Sequence, residues 1–180
     1  MEIFLMRHPK PDVDKNVCYG QADLKLLTGW QTAIRESLKG LENIDLIVSS
    51  PLVRCAEVAT WVHNNIFPDA DYQENEAWKE LNFGEWEMMQ WNDIPQKDLD
   101  LWMQDYENVS PPQGETLKEM RNRVLGAWGK LLTVKNKKVL VIAHAGAIRI
   151  VLAHHFKISY QEALKISINY SEYKSVLING

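Results

Sequence analysis

Ile3-Phe-Leu-Met6 runs without a break into Arg7-His8, and Val139-Leu-Val-Ile-Ala143 runs into His144-Ala-Gly146. Short unbroken apolar runs of this kind suit strands of a mostly parallel sheet that is covered on both faces. Leu46 to Val48, followed by Ser49-Ser50-Pro51, is a third. The segments that follow read as helices. Gln31 to Lys39 is roughly periodic, and Leu52 to Asn64 sets Leu52, Cys55, Ala56, Ala59 and Val62 along one side, with Ser50 as N-cap and Pro51 at the first helical position. Strand and helix alternate, so the expected class is α/β.

Further along, Thr116-Leu-Lys-Glu119 matches a capping box, and Leu117, Met120, Val124, Trp128 and Leu131 follow at helical spacing. Ala147 to Phe156 is expected to be helical. Ile166 to Tyr170 and Tyr173 to Ile178 read as two strands joined by a tight turn at Ser171-Glu172, an antiparallel hairpin at the C-terminal edge. Between Gly84 and Gly114 the composition shifts to three tryptophans and three methionines among seven acidic residues. This reads as a helical excursion from one domain spanning 1–180, too short to be a domain itself.

The 180 residues are about one domain's worth, with 46% apolar and 24% charged residues. A net charge of −4 argues against nucleic-acid binding by a basic face, so an anionic ligand must be met by a local cluster of positive groups. No apolar run approaches the roughly 18 residues that span a bilayer. The opening residues lack a secretory leader's pattern, and Cys18 and Cys55 are the only cysteines, so the expected location is the cytoplasm, with both as thiols.

In open α/β sheets ligands bind beyond the carboxyl ends of the strands. Arg7, His8, Arg54 and His144 therefore share one rim. Two guanidiniums suit phosphate oxygens, one imidazole is a competent nucleophile toward phosphorus, and a second can donate a hydrogen bond. A leaving alkoxide also needs a proton. Glu80, in Trp78-Lys-Glu-Leu-Asn-Phe-Gly-Glu-Trp86, is the preferred acid, since apolar neighbours can raise a carboxyl's pKa; Glu85 and Glu87 are the alternatives.

These motifs, with Gly114-Glu-Thr116, resemble in order and spacing the histidine phosphatase superfamily, the phosphoglycerate mutase-like fold. Tyr19-Gly20 followed by Asp23, and the small size, are most similar to its α-ribazole phosphatase branch, which acts in cobalamin biosynthesis. The resemblance implies a three-layer α/β/α sandwich and a phosphomonoesterase that needs neither metal nor cofactor. His8 becomes phosphohistidine, Arg7, Arg54 and His144 hold the phosphoryl oxygens, and Glu80 protonates the leaving oxygen and then activates water. The partner implied is a small phosphomonoester. The resemblance also makes 84–114 a cap over the site, with Tyr19, Gly20, Gln21, Trp86 and Trp91 as candidate substrate contacts.

The chain departs from the family pattern at Pro9, Ala145 and Met88, each standing where glycine is common. Pro9 excludes a phosphate contact from its own nitrogen and pushes His8 toward extended backbone. Other readings remain open at this stage: a broad-specificity phosphatase or a phosphoglycerate mutase on the same scaffold, a metallohydrolase using His8, His144 and a carboxylate, or a non-catalytic phosphate-binding module. His63, His154 and His155 are read as surface or packing residues. The oligomeric state is left open.

Overall fold

A computed structural model describes residues 1–134 and 138–178. Five strands form one sheet: β1 (Glu2–Arg7), β2 (Leu46–Ser49), β3 (Asp71–Glu74), β4 (Lys138–Ala143) and β5 (Tyr173–Leu177), in the order β3-β2-β4-β1-β5. The first four are mutually parallel, and β5 runs antiparallel to β1. Alternation along β1 feeds two cores. Ile3 and Leu5 face one cluster, Phe4 and Met6 the other, because successive side chains of a strand point to opposite faces.

On the Ile3 face lie α4 (Leu117–Leu131) and α5 (Ala145–Phe156), contributing Met120, Val124, Trp128, Ile148 and Val151. On the Phe4 face lie α1 (Trp30–Ser37) and α2 (Val53–Asn65), contributing Ile34, Val58 and Val62. The result is the expected three-layer α/β/α sandwich, its central strands buried on both sides as their unbroken apolar runs require. The box on Thr116 forms as its residues predict: Thr116 Oγ1 accepts from the Glu119 amide, and the Glu119 carboxylate accepts from the Thr116 amide.

Three expectations need correction. The C-terminal edge carries the single antiparallel strand β5 and no hairpin. Ile166 to Tyr170 has no strand partner among the described residues, and Ser171, held at φ 61°, donates its amide to Arg7 O, so this segment wraps over the carboxyl end of β1. Strand β3, Asp-Tyr-Gln-Glu, stands outside the three expected parallel strands because an edge strand exposed on most of its surface has no apolar run to mark it. Finally, Ser50 does not cap α2. That helix begins at Val53, whose amide is capped from outside by Asp23 Oδ1 at 2.7 Å, while the Ser50 hydroxyl is engaged by His144.

The 84–114 segment contains two single 3₁₀ turns, Gly84–Trp86 and Trp91–Asp93, and one helix, α3 (Gln96–Gln104). Its hub is Trp86 with Cys18 and Ile94. Met88 holds φ at 69°, a left-handed turn that a glycine would adopt free of Cβ strain. The short α6 (Tyr160–Leu164) closes the same end of the molecule. No helix among the described residues is long and apolar enough to cross a membrane.

Candidate active site

The carboxyl ends of β2, β4 and β1 are adjacent in the sheet, and the ladder continues past them. His8 N–H donates to Ala143 O at 3.1 Å and Ser50 N–H to Ile142 O at 3.0 Å. This extension seats Arg7, His8, Ser50 and His144 on one rim. Arg54 joins them from the first turn of α2. His8, His144 and Arg54 are almost wholly buried, at 2%, 1% and 0% exposure, an expensive arrangement that must be offset by specific partners.

The partners define the chemistry. His8 Nδ1 lies 2.6 Å from the Pro9 carbonyl, which can only accept, so Nδ1 carries the proton and Nε2 presents its lone pair. The Arg54 Nε–H points at that lone pair from 3.3 Å. Burial, reinforced by the Arg54 charge and then Arg7, lowers the His8 pKa well below 6.5, despite the opposing pull of the Pro9 carbonyl. His8 is therefore neutral at pH 7, with its free lone pair on Nε2. The backbone carbonyl of residue 9 thus fixes the tautomer, a contact the ring of Pro9 does not prevent.

His144 is the N-cap residue of α5, with ring centroid 5.1 Å from that of His8. Its Nε2 lies 2.9 Å from Ser50 Oγ, and the Cys55 thiol sits 3.5 Å away. Burial first, then Arg54 and His8, lowers its pKa well below 6.5 as well. Arg54 is braced through its far nitrogens by the carbonyls of Ala22 and Gly20. Arg7 donates Nη1 to Ile168 O at 2.7 Å and stacks on the Tyr170 ring at 3.7 Å, while Tyr170 and Tyr19 share a 2.7 Å hydroxyl hydrogen bond.

Glu80 reaches the rim from the loop after β3. Its Oε2 accepts from the Gly146 amide at 2.9 Å and its Oε1 from the Leu81 amide at 3.0 Å. Gly146 must lack a side chain for this approach, since a Cβ there would stand 2.2 Å from Glu80 Oε1. Of the three candidate glutamates only Glu80 lines the cavity. Glu87 is consumed by the amides of Gln21, Ala22 and Phe83, and Glu85 pairs with Gln113.

The cavity measures about 300 Å³. Arg7, His8, Arg54, Glu80 and His144 form one end; Leu81, Phe83, Trp102, Tyr106, Met120 and Tyr160 are among the residues forming the rest. Tyr19 lines it as expected. Gly20 and Gln21 do not: Gly20 packs under the Glu80 loop, and Gln21 Nε2 donates to Glu80 O at 3.0 Å. Trp86 and Trp91 do not reach it either, because Trp86 is the buried hub of its own cluster and Trp91 packs on its rim. Trp102 takes the place expected of them.

Sequence reasoning also missed Arg123 and Arg149. Arg123 pairs with Glu115 and donates to the carbonyls of Ala77, Lys79 and Glu80, fixing the Glu80 loop to α4. Arg149 lines the cavity one turn beyond Gly146 on α5. Its signal was the i, i+3 spacing from Gly146, as Arg123 stands i+3 from the cavity-lining Met120. Among the described residues no group of three His, Cys, Asp or Glu is placed to hold a metal ion.

A rim that gathers a neutral imidazole with its lone pair forward, a second imidazole, two guanidiniums and a carboxyl belongs to a known class. The family model of the Histidine phosphatase superfamily (branch 1) matches residues 3–180, and the chain belongs to that superfamily. Among curated relatives it is 29% identical to the uncharacterized phosphatase PhoE of Bacillus subtilis, over 83% of this chain and 75% of that one. It is 28% identical to a 2,3-bisphosphoglycerate-dependent phosphoglycerate mutase of Parvibaculum lavamentivorans, covering 92% and 85%. To the adenosylcobalamin/alpha-ribazole phosphatase of Escherichia coli it is 26% identical, covering 85% and 78%. In fold it resembles the crystal structure of the alpha-ribazole phosphatase from Shigella flexneri, with TM-score 0.88 at 21% identity, covering 99% and 91%.

Proposed function

We propose that this chain is a phosphomonoesterase that works through a phosphohistidine on His8. The observation that carries the reading is the His8 tautomer: a buried, neutral imidazole held at Nδ1 by the Pro9 carbonyl, with its Nε2 lone pair beside the Arg54 guanidinium. Nε2 attacks phosphorus in line, the P–O bond to the leaving group breaks, and the departing oxygen takes a proton from the Glu80 carboxyl. Arg7, Arg54 and His144 hold the equatorial oxygens, whose charge is spread most in the transition state. Water then gives a proton back to Glu80 and attacks phosphorus. The P–N bond breaks, and orthophosphate leaves with His8 restored. No cofactor enters this sequence.

Residues 84–114 act as the cap of a single-domain enzyme, contributing Trp102 and Tyr106 to the cavity. As natural substrate we propose α-ribazole 5′-phosphate, in cobalamin biosynthesis. The likeness to α-ribazole phosphatases supports this, and so does an aromatic chamber of a size for a flat heteroaromatic group. Two buried free thiols fit a cytoplasmic location. The similarity to a phosphoglycerate mutase favours a second reading, transfer of the phosphoryl group to another hydroxyl.

Hydrolysis of a panel holding α-ribazole 5′-phosphate, sugar phosphates, nucleotides and phosphoglycerates, compared by kcat/KM, tests substrate and reaction together. Free phosphate supports the phosphatase; isomerised phosphoglycerate supports the mutase. His8→Ala is expected to abolish turnover and the histidine-bound phosphate seen after rapid quenching. Undiminished hydrolysis by that variant would remove the proposal.

A further inference from the structure

Ser50 directly follows β2 and is wholly buried. Its amide continues the sheet ladder to Ile142 O, and its hydroxyl lies 2.9 Å from His144 Nε2. The reaction proposed above gives that hydroxyl no part. A buried hydroxyl has one proton to place and can accept twice. Ser50 Oγ accepts from the Leu52 amide at 3.4 Å, and among the described residues the one nitrogen or oxygen paired with it that can take its proton is His144 Nε2. The Cys55 thiol, 3.5 Å from the same nitrogen, gives its own hydrogen to Ala143 O at 3.6 Å.

This accounting fixes the second imidazole. With Ser50 donating, Nε2 holds the lone pair, and burial keeps the ring neutral, so its single hydrogen is on Nδ1. A neutral imidazole can serve a phosphoryl oxygen only through the nitrogen that bears hydrogen. His8 is held in the same form from its other end: there a carbonyl that can only accept claims Nδ1–H, and here a hydroxyl that can donate claims Nε2. One ring thereby keeps a lone pair for phosphorus, and the other keeps a hydrogen for oxygen.

We infer that Ser50 is a positioning residue: its hydroxyl donates to His144 Nε2 and so holds His144 in the Nδ1–H form, in which the ring can donate a hydrogen bond to the phosphoryl group. The inference rests on the phosphomonoesterase reading of the rim and deepens it, since Ser50 acts on the substrate only through His144.

NMR of enzyme carrying isotopically labelled histidine, at neutral pH, separates a ring nitrogen that bears hydrogen from one that does not; the His144 signals are those missing from His144→Ala. Wild type is expected to show hydrogen on Nδ1 of His144 and none on Nε2. Ser50→Ala is expected to move hydrogen toward Nε2 and to lower kcat/KM for 4-nitrophenyl phosphate on the order of tenfold, while Cys55→Ala keeps the wild-type tautomer. A wild-type ring with hydrogen on Nε2 would overturn the inference whether or not either variant folds. So would a Ser50→Ala ring that keeps the wild-type tautomer, one that changes tautomer with no loss of rate, or a Cys55→Ala ring that changes it. The spectrum is read on resting enzyme. Failure of wild type to hydrolyse phosphomonoesters, or hydrolysis that survives His8→Ala, would therefore strike the reading of the rim and with it the part of Ser50 in the reaction, while the tautomer stands or falls on the spectrum alone.

Discussion

Replacing Gly146 with alanine should separate stability from catalysis. Gly146 occupies the first turn of α5, where alanine is a better helix former by up to ~1 kcal/mol, and its backbone is not in the left-handed region, so this gain offsets part of the cost of displacing Glu80 and the fold should hold. The new Cβ would stand 2.2 Å from Glu80 Oε1 and 3.0 Å from its carboxyl carbon. Ordinary contact lies beyond 3.4 Å, so the carboxyl must retreat by about 1 Å, and its 2.9 Å hydrogen bond from the Gly146 amide is broken or bent. A misplacement of about 1 Å in a reacting group can cost roughly 10²-fold, near 2.7 kcal/mol of transition-state stabilisation. If Glu80 protonates the leaving oxygen, the loss must depend on that oxygen's basicity. Kinetics on an alkyl phosphate should show the full drop in kcat, and kinetics on 4-nitrophenyl phosphate, whose phenolate leaves without help, a much smaller one in the phosphorylation step. Equal losses on both substrates, or none, would refute the assignment of Glu80 as the proton donor, provided thermal melts show the variant folded at the assay temperature.

Acid should destabilise the protein below pH 6.5, because His8 and His144 resist protonation in the folded state and titrate normally when unfolded. The unfolded chain binds the extra protons, so stability falls as pH drops, by up to about 2.7 kcal/mol per pH unit from the pair; urea midpoints that match at pH 7.5 and 5.5 would contradict this. Arg123→Met should cost roughly 2–4 kcal/mol in urea unfolding, since it strands Glu115 and unties three carbonyls around Glu80, and should lower kcat in the protein that remains folded. Thr116→Ala removes only a cap on α4 and should cost about 1 kcal/mol with kcat/KM preserved, as thermal melts and steady-state rates will show.

Four groups at one end of the cavity, Arg7, His8, Arg54 and His144, were legible in the sequence because each ends or follows a strand or opens a helix. Arg7-His8 and His144 extend buried strands whose apolar runs announce them, so their position follows from the sheet alone. Glu80 was legible only through its motif. What places it is Arg123 on α4 and the bare Cα of Gly146, more than forty residues away in the chain, and neither carries a local sign of that duty. The tryptophans misled for a related reason. Trp86, Trp91 and Trp102 have the same composition and neighbourhood, and which one faces the cavity is settled by packing: Trp86 fills the hub with Cys18 and Ile94, leaving Trp102 to turn inward. The missing hairpin strand shows the reverse case. Ile166 to Tyr170 has a strand's composition but is drawn off by the carbonyls it lends to Arg7 and Arg149.

The two ends of the cavity are thus held by different kinds of structure, and this division bears on how such an enzyme changes substrate. His8 and Ser50 continue the sheet and His144 caps α5 where β4 ends, so a shift in His8 or Ser50 must break ladder hydrogen bonds and a shift in His144 the first bond of the helix. Helix α3, by contrast, buries none of its residues fully, and its inward contact is Trp102, which meets Phe83, Trp86 and Tyr106 ring against ring. Such ring contacts are worth about 0.5–1.5 kcal/mol each beyond burial, little enough that substitutions in α3 can reshape the chamber at small cost. Alterations between Gln96 and Gln104 should therefore move KM and substrate preference while the rate of histidine phosphorylation by a small, unselective ester stays tied to the sheet.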